Sequence, residues 1–353
     1  MPIDAEAAAA VQSPSPSTPT AIGAPDPWPL LGLVRFFLAC VVMFAHADVF
    51  IEVNPLCHWA QFFDPRVAVI CFLVVSGYSI GDSIGRGDTA EFYFRRARRI
   101  LPLYWASLAW TILTFVPEIC AAIANHHPIP TMDSLAAWIG APLMLQQFVT
   151  PNLGANTSIW SLSLEWAYYA VAPALARMAW PLLTALTALS LAISAHWPHA
   201  RIPLFQYNAT LLLTLAWAWI GGFAISRGRH PAAAVFVTLL GAGLVWREYG
   251  PAPAVMLGAT ILAAGLAWRL APLPSKLRRA ALYLGDLSYP IYLFHEPTLV
   301  QCSHIWPGLP PAIALLAAAA VSATAERTID RPARRLPMSA LTGWMRGRQG
   351  RSG

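Results

Sequence analysis

Residues 30–50 read LLGLVRFFLACVVMFAHADVF, and this stretch decides the fold. A bilayer crossing needs about 20 mostly apolar residues, and these supply one. It also carries Arg35 and His46. A charge at bilayer depth costs roughly 2.5–3.5 kcal/mol on insertion scales, so it asks for a reason. The two lie eleven positions apart, and at about 100° per residue that is three turns plus roughly 20°. Both side chains therefore share one helix face, separated by about 16 Å along the axis. An arginine snorkelling to the interface beside a self-satisfied histidine is the plainer alternative. The shared face favours function.

The rest of the chain agrees with a membrane. Of 353 residues, 57% are hydrophobic and only 11% charged, where a soluble domain carries about 25% charged residues. Ten candidate spans centre near Cys40, Leu73, Trp110, Tyr168, Leu189, Ala216, Val237, Ile261, Tyr292 and Leu316. The expected fold class is thus an all-α membrane protein, a bundle of about ten transmembrane helices. Ser134–Val149 (SLAAWIGAPLMLQQFV) is apolar but short and proline-broken, which predicts an interfacial or re-entrant segment. Residues 1–29, rich in Ala, Pro, Ser and Thr, read as a disordered cytoplasmic tail without a cleaved signal. The expected membrane domain runs over 30–336, and a basic cytoplasmic tail over 337–353.

The net charge of +6 does not point to nucleic acid, because the basic residues form short clusters between apolar stretches rather than one solvated face. They set topology instead. With both termini in the cytoplasm, nineteen of the 23 Lys and Arg fall on the inner side, and only Arg66, Arg201 and Arg247 fall outside. That asymmetry follows the positive-inside rule and asks for an even span count. The five cysteines show no zinc or redox spacing. Small apolar fillers are the expected role, with one disulfide among Cys57, Cys120 and Cys302 as the alternative. The outer-face histidines (His58, His126, His127, His196, His199 and His304) also lack metal spacing, and no metal is expected.

Three further clusters carry polar groups to bilayer depth. FYFRRARRILPLYW begins the third helix with Arg95, Arg96, Arg98 and Arg99. Such a cluster is either an inner-face anchor or an anion site of the kind a coenzyme A phosphate would occupy. SIWSLSLEWAYYAVAP places Glu165 among Trp160, Ser161, Trp166, Tyr168 and Tyr169. These aromatics suit sugar stacking or an interfacial belt. LYLGDLSYPIYLFHEP adds Asp286, His295 and Glu296 around Pro290, with His295 at a depth comparable to His46. The two histidines and Glu165 are the cluster expected to matter most.

These motifs together resemble the membrane-bound acyltransferase-3 family. Arg35 and His46 with ten residues between them match its first-span signature, and FLVVSGYSI at Phe72–Ile80 its serine-glycine motif. Arg96, Arg98, Arg99, Ile100 and Pro102 match its arginine element, and IWSLSLEWAYY and LGDLSYPIYLFHEP two later blocks. DRPARR is similar to its Glu-Arg-Pro ending, with Asp330 for glutamate. Trp166 stands where many members have a second acid. A C-terminal hydrolase-like domain is not expected.

The resemblance implies a bacterial inner-membrane O-acyltransferase. It would move an acyl group, acetyl above others, from cytosolic acyl-CoA to a hydroxyl of a lipid-linked or exported saccharide. Acyl-CoA enters as donor substrate, and no permanently bound cofactor is expected. By that implication Arg35, Arg96 and Arg99 bind the CoA phosphates, while His46 and Glu165 are catalytic. His46 would be a general base or a transient acyl carrier, and Glu165 would orient His46 or bind the sugar. Trp160, Ser161, Tyr169 and His295 are the expected acceptor contacts. A small natural product such as a macrolide is the alternative acceptor. A transporter or flippase is the alternative class, against which the lack of repeated halves counts.

Overall fold

The computed structural model describes residues 26–51, 55–124, 134–197, 209–228, 231–269 and 273–338. The main helices are α1 (Trp28–Phe50), α2 (Pro65–Ser83), α3 (Thr89–Ala124), α4 (Trp160–Leu175) and α5 (Trp180–His196). They continue as α6 (Ala216–Arg227), α7 (Pro231–Tyr249), α8 (Pro251–Leu266), α9 (Ser275–Ile305) and α10 (Pro311–Ala325). Among the described residues there is no strand, only an isolated bridge between Gln146 and Thr150. The chain is an all-α membrane protein. Each expected span centre falls in one of these helices, Ala216 at the first residue of α6. By length and apolarity alone, α1, α2, α7 and the stretch Pro311–Arg335 each suffice to cross a bilayer; α5, α8 and residues 211–227 are apolar but shorter.

Prolines start many of these helices. Pro29, Pro65, Pro181, Pro251 and Pro311 sit in the first turn, where the missing N–H costs nothing and the fixed φ suits the helix. The outward faces are greasy: Leu316 is 69% exposed, Phe236 65% and Val255 64%. In water that would be a liability; in a bilayer the lipid is the solvent.

Two close parallel pairings set the bundle. Along α1 and α9, Asp26 pairs with Arg278 at 2.7 Å, and His46 meets His295 further on. Between them Gly32 faces Gly285, where an added Cβ on Gly285 would fall 2.6 Å from the Gly32 Cα. Along α2 and α6, an added Cβ on Gly77 or Gly222 would fall 1.9 or 2.0 Å from a carbonyl oxygen of the other helix. Small residues at such crossings are the usual device of membrane helix packing.

The helix ends sort into two sets. Gln61 Nε2 donates to the Ala45 carbonyl in the last third of α1. Arg66 lies over the Tyr249 ring at the end of α7, and Arg247 reaches the Ala195 carbonyl at the end of α5. Trp197, Trp246 and Trp306, each about 60% exposed, mark the C-terminal ends of α5, α7 and α9. At the opposite end, Arg227 of α6 reaches the Ala176 carbonyl just after α4, and Arg98 of α3 the Leu336 carbonyl after α10.

Ser134–Val149 does not form a long helix. It holds the six-residue helix Leu135–Gly140 and a 3-10 turn, Ala141–Leu143. Met144 and Gln147 then adopt positive φ of 55° and 74°. Tyr104 donates to the Ala141 carbonyl at 2.6 Å, and Gln146 to Tyr104 at 2.8 Å. Non-helical backbone at depth requires such internal partners. Cys57 and Cys302 are free thiols, so the structure has no bridge between them; the side chain of Cys120 lies outside the described residues. So do most of both expected tails and the histidines His126, His127 and His199.

Candidate functional site

Five helices converge on a cavity of about 80 Å³ inside the bundle. By the usual measure of about 10–15 Å³ per water, it has room for roughly five to eight waters. Arg35 enters it from α1, Ser76 from α2, Arg96 and Arg99 from α3, and Ser161, Glu165 and Tyr169 from α4. Tyr289 and Tyr292 of α9 complete the wall.

The arginine cluster divides by helix face. Arg95 is used locally, in an ion pair with Glu91 at 2.9 Å, and Arg98 lies over the Phe94 ring and bonds Leu336. Arg96 and Arg99, three apart and so neighbours on one face, turn to the cavity. Arg96 is buried, with one bond to Ser83 Oγ at 3.0 Å and its Nε unpartnered. Among the described residues, Arg35 and Arg99 make no hydrogen bond or ion pair. Glu165 is the one carboxylate in the lining, and among the described residues it forms no ion pair with them. It accepts from the Ser76 hydroxyl and from the Tyr169 hydroxyl, the latter at 2.5 Å. Trp219 Nε1 donates to the same Ser76 at 3.3 Å. Three guanidinium groups facing one carboxylate that is already engaged make a pocket shaped for an anion.

A second polar group lies further along α1 and α9. His46 Nδ1 is 2.8 Å from His295 Nε2. The two rings are parallel within 8°, with centroids 5.0 Å apart. That is the spacing of imidazoles joined end to end by one N–H···N bond, rather than piled face to face. His295 Nδ1 bonds the Ile291 carbonyl at 2.8 Å. Glu296 is fully buried, its Oε2 3.9 Å from His46 Nδ1. It accepts from Thr157 Oγ1 at 2.7 Å, Ser158 N at 2.8 Å and Ser158 Oγ at 2.6 Å. Pro290 and Pro297 flank this part of α9. Pro297 cannot donate to the Leu293 carbonyl, which takes Asn156 Nδ2 at 3.5 Å instead.

Tyr292 joins the two groups. It lines the cavity, shares a 2.7 Å bond with Ser161, and donates to the Ser158 carbonyl at 2.7 Å. Ser158 in turn holds Glu296.

The structure therefore gathers Arg35, Arg96, Arg99, Glu165, Ser161 and Tyr169 in one cavity, and His46 with His295 beside it. Glu165 does not join the histidines, which corrects the expected three-residue cluster: no hydrogen bond or ion pair links it to His46 among the described residues. The carboxylate beside His46 belongs to Glu296, one residue past His295. Trp160 packs in the apolar core and is absent from the cavity wall. Ser76, Tyr292 and Ser158 sit in or beside the recognised motifs without standing out, since a buried hydroxyl costs far less than a buried charge and is common in helices.

The ligand atoms of His46, His295 and Glu296 lie within 4.8 Å of one another, a separation that suits a metal ion. Each is already engaged, however. The two imidazole nitrogens bond each other, and Glu296 Oε2 takes both donors of Ser158. This is the pattern of a hydrogen-bonded relay, and a metal held by the two facing nitrogens would have to break the bond between them.

A family model described as an acyltransferase domain, the acyltransferase-3 model, matches residues 29–325. Nodulation protein 10 of Rhizobium leguminosarum bv. viciae is 26% identical over 357 residues, covering 88% of this chain and 94% of that protein. No solved structure matches the chain significantly.

Proposed function

The chain belongs to the acyltransferase-3 family, and from that premise we propose that it transfers a short acyl group, most simply acetyl, from cytosolic acyl-CoA to a hydroxyl of a lipid-linked or exported saccharide. The observation that carries this reading is the cavity in which three arginines face a single carboxylate. Arg35, Arg96 and Arg99 grip the phosphates at the inner face. The cavity, about 80 Å³ as it stands, is the inner end of the path along which the pantetheine arm would enter. The Arg35–His46 rise of about 16 Å suits that extended arm, so the thioester arrives at the histidine end. Glu165, held by Ser76 and Tyr169, receives the amide N–H groups of the arm and positions the donor.

His46 is the general base. It takes the acceptor hydroxyl proton as the hydroxyl oxygen bonds the acyl carbon. The carbon–sulfur bond then breaks, and the imidazolium returns the proton to the leaving thiolate. The products are the ester and free CoA thiol.

The topology proposed is ten spans in a bacterial cytoplasmic membrane, both termini inside. The parallel running of α1 with α9 and of α2 with α6 supports it, because alternating spans of like parity run the same way. Three tryptophans at the ends of α5, α7 and α9 suit an outer aromatic belt.

The test uses membrane vesicles given acetyl-CoA labelled in its acetyl group. Label is expected in the saccharide-bearing lipid or exported glycan fraction, and none with His46→Ala at equal protein level. Full labelling by His46→Ala overturns the assignment. Saccharide movement that ignores acetyl-CoA would identify a transporter.

A further inference from the structure

We propose that His295 and Glu296 are positioning residues that set the tautomer and the charge balance of the base. The proposal rests on His46 being that base. The Ile291 carbonyl can only accept, so the 2.8 Å bond to it requires a proton on His295 Nδ1. Neutral His295 then offers a lone pair at Nε2. His46 must donate into it from Nδ1, 2.8 Å away, which leaves the lone pair of His46 on Nε2, free for the acceptor hydroxyl. One backbone carbonyl thus fixes two tautomers in series. The coplanar end-to-end rings, within 8°, give that bond its direction.

Glu296 supplies the balance. Its three donors, Thr157 Oγ1, Ser158 N and Ser158 Oγ, are the surroundings of an ionised carboxylate. It is too far from His46, at 3.9 Å, to compete for the Nδ1 proton. When Nε2 takes the acceptor proton, the new positive charge forms beside a fixed anion. The other titratable groups nearby are occupied. Asp48 bonds His58 at 3.0 Å and Gln61 at 3.5 Å, and Tyr292 is turned to Ser161 and Ser158. His295 and Glu296, both fully buried, do not reach the substrate themselves.

The experiment follows thiol release from acetyl-CoA in membrane vesicles, for wild type, His46→Ala, Glu296→Gln, Glu296→Asp, His295→Gln and His295→Ala. Glu296→Gln should lower kcat about 10- to 100-fold with little change in KM for acetyl-CoA. The acid limb of its pH–rate profile should move to lower pH, because the imidazolium has lost its counter-charge. Glu296→Asp should recover part of the rate. His295→Gln, whose amide oxygen replaces Nε2, should retain more activity than His295→Ala. If His46→Ala is inactive while Glu296→Gln and His295→Gln keep the wild-type kcat and pH limb, the relay is overturned and the base stands. Activity in His46→Ala overturns the base itself. Should variants fail to accumulate, diethyl pyrocarbonate on the wild-type protein decides: it attacks a free imidazole lone pair, so His46 should be modified and His295 spared. Modification of His295 before His46 would overturn the relay.

Discussion

The Tyr169 hydroxyl donates to Glu165 Oε1 at 2.5 Å, one helical turn along α4. Together with Ser76, this bond holds the carboxylate away from Arg35, Arg96 and Arg99. Tyr169→Phe should release Glu165 to pair with an arginine, and KM for acetyl-CoA should rise several-fold. Glu165→Gln removes the competing charge, so KM should not rise while kcat falls. Steady-state kinetics in vesicles separates the two. A shared loss of kcat alone would assign both residues to the chemical step.

Arg99→Ala removes a guanidinium with no protein partner, so its loss should register on ligand binding and hardly on folding. A hydrogen bond to a charged group contributes about 1.5–3 kcal/mol, which predicts roughly 10- to 100-fold weaker CoA binding by calorimetry in detergent. Arg95→Ala, whose side chain is spent on Glu91 at 2.9 Å, should bind CoA nearly as the wild type does.

The glycine crossings predict opposite outcomes for like substitutions. Gly222→Ala places a Cβ 2.0 Å from the Val74 carbonyl oxygen, and overpacking of this kind costs about 1–3 kcal/mol or more. Gly243→Ala meets nothing within 4 Å and gains helix propensity. Thermal unfolding in detergent should show a lower Tm for the first and an unchanged or higher Tm for the second.

Orientation can be read by thiol labelling in a cysteine-free background. Phe62→Cys should react with a membrane-impermeant maleimide added outside, and Leu336→Cys only after the membrane is opened; both positions are at least half exposed. In the native protein, Cys57 should stay nearly silent at neutral pH. Burial, with Asp48 nearby, pushes its thiol above the usual range. The thiolate fraction at a given pH is therefore smaller, and labelling should climb only as pH rises further.

Much of this molecule was legible in its letters. Apolar length located the helices, and the spacing of Arg35 and His46 put both on a single face. The choice of Arg96 and Arg99 over Arg95 and Arg98 comes from the family resemblance, since helical period alone sets Arg99 as near to Arg95 as to Arg96. What could not be read was which partner each buried charge would find. Glu165 and Glu296 both sit at depth in aromatic surroundings, and only the crossing of α1 with α9 at Gly32 and Gly285 decides which one stands near His46. Trp160 misled for a related reason: a tryptophan in a motif packs inward as readily as it faces a ligand. The partner of the Leu293 carbonyl, Asn156, and the tautomer chain depend on tertiary neighbours that no local pattern records.

The contact between α1 and α9 also bears on biosynthesis. His46 and His295 are 249 positions apart, and at about 5–20 residues per second the ribosome needs roughly 12–50 s to bridge that interval. Throughout it, the first helix waits in the bilayer with its histidine unmatched. On the proposed reading, a chain interrupted before the ninth helix has its arginines but no His295 to orient His46. On the proposed mechanism, acyl transfer begins only once α9 has joined α1.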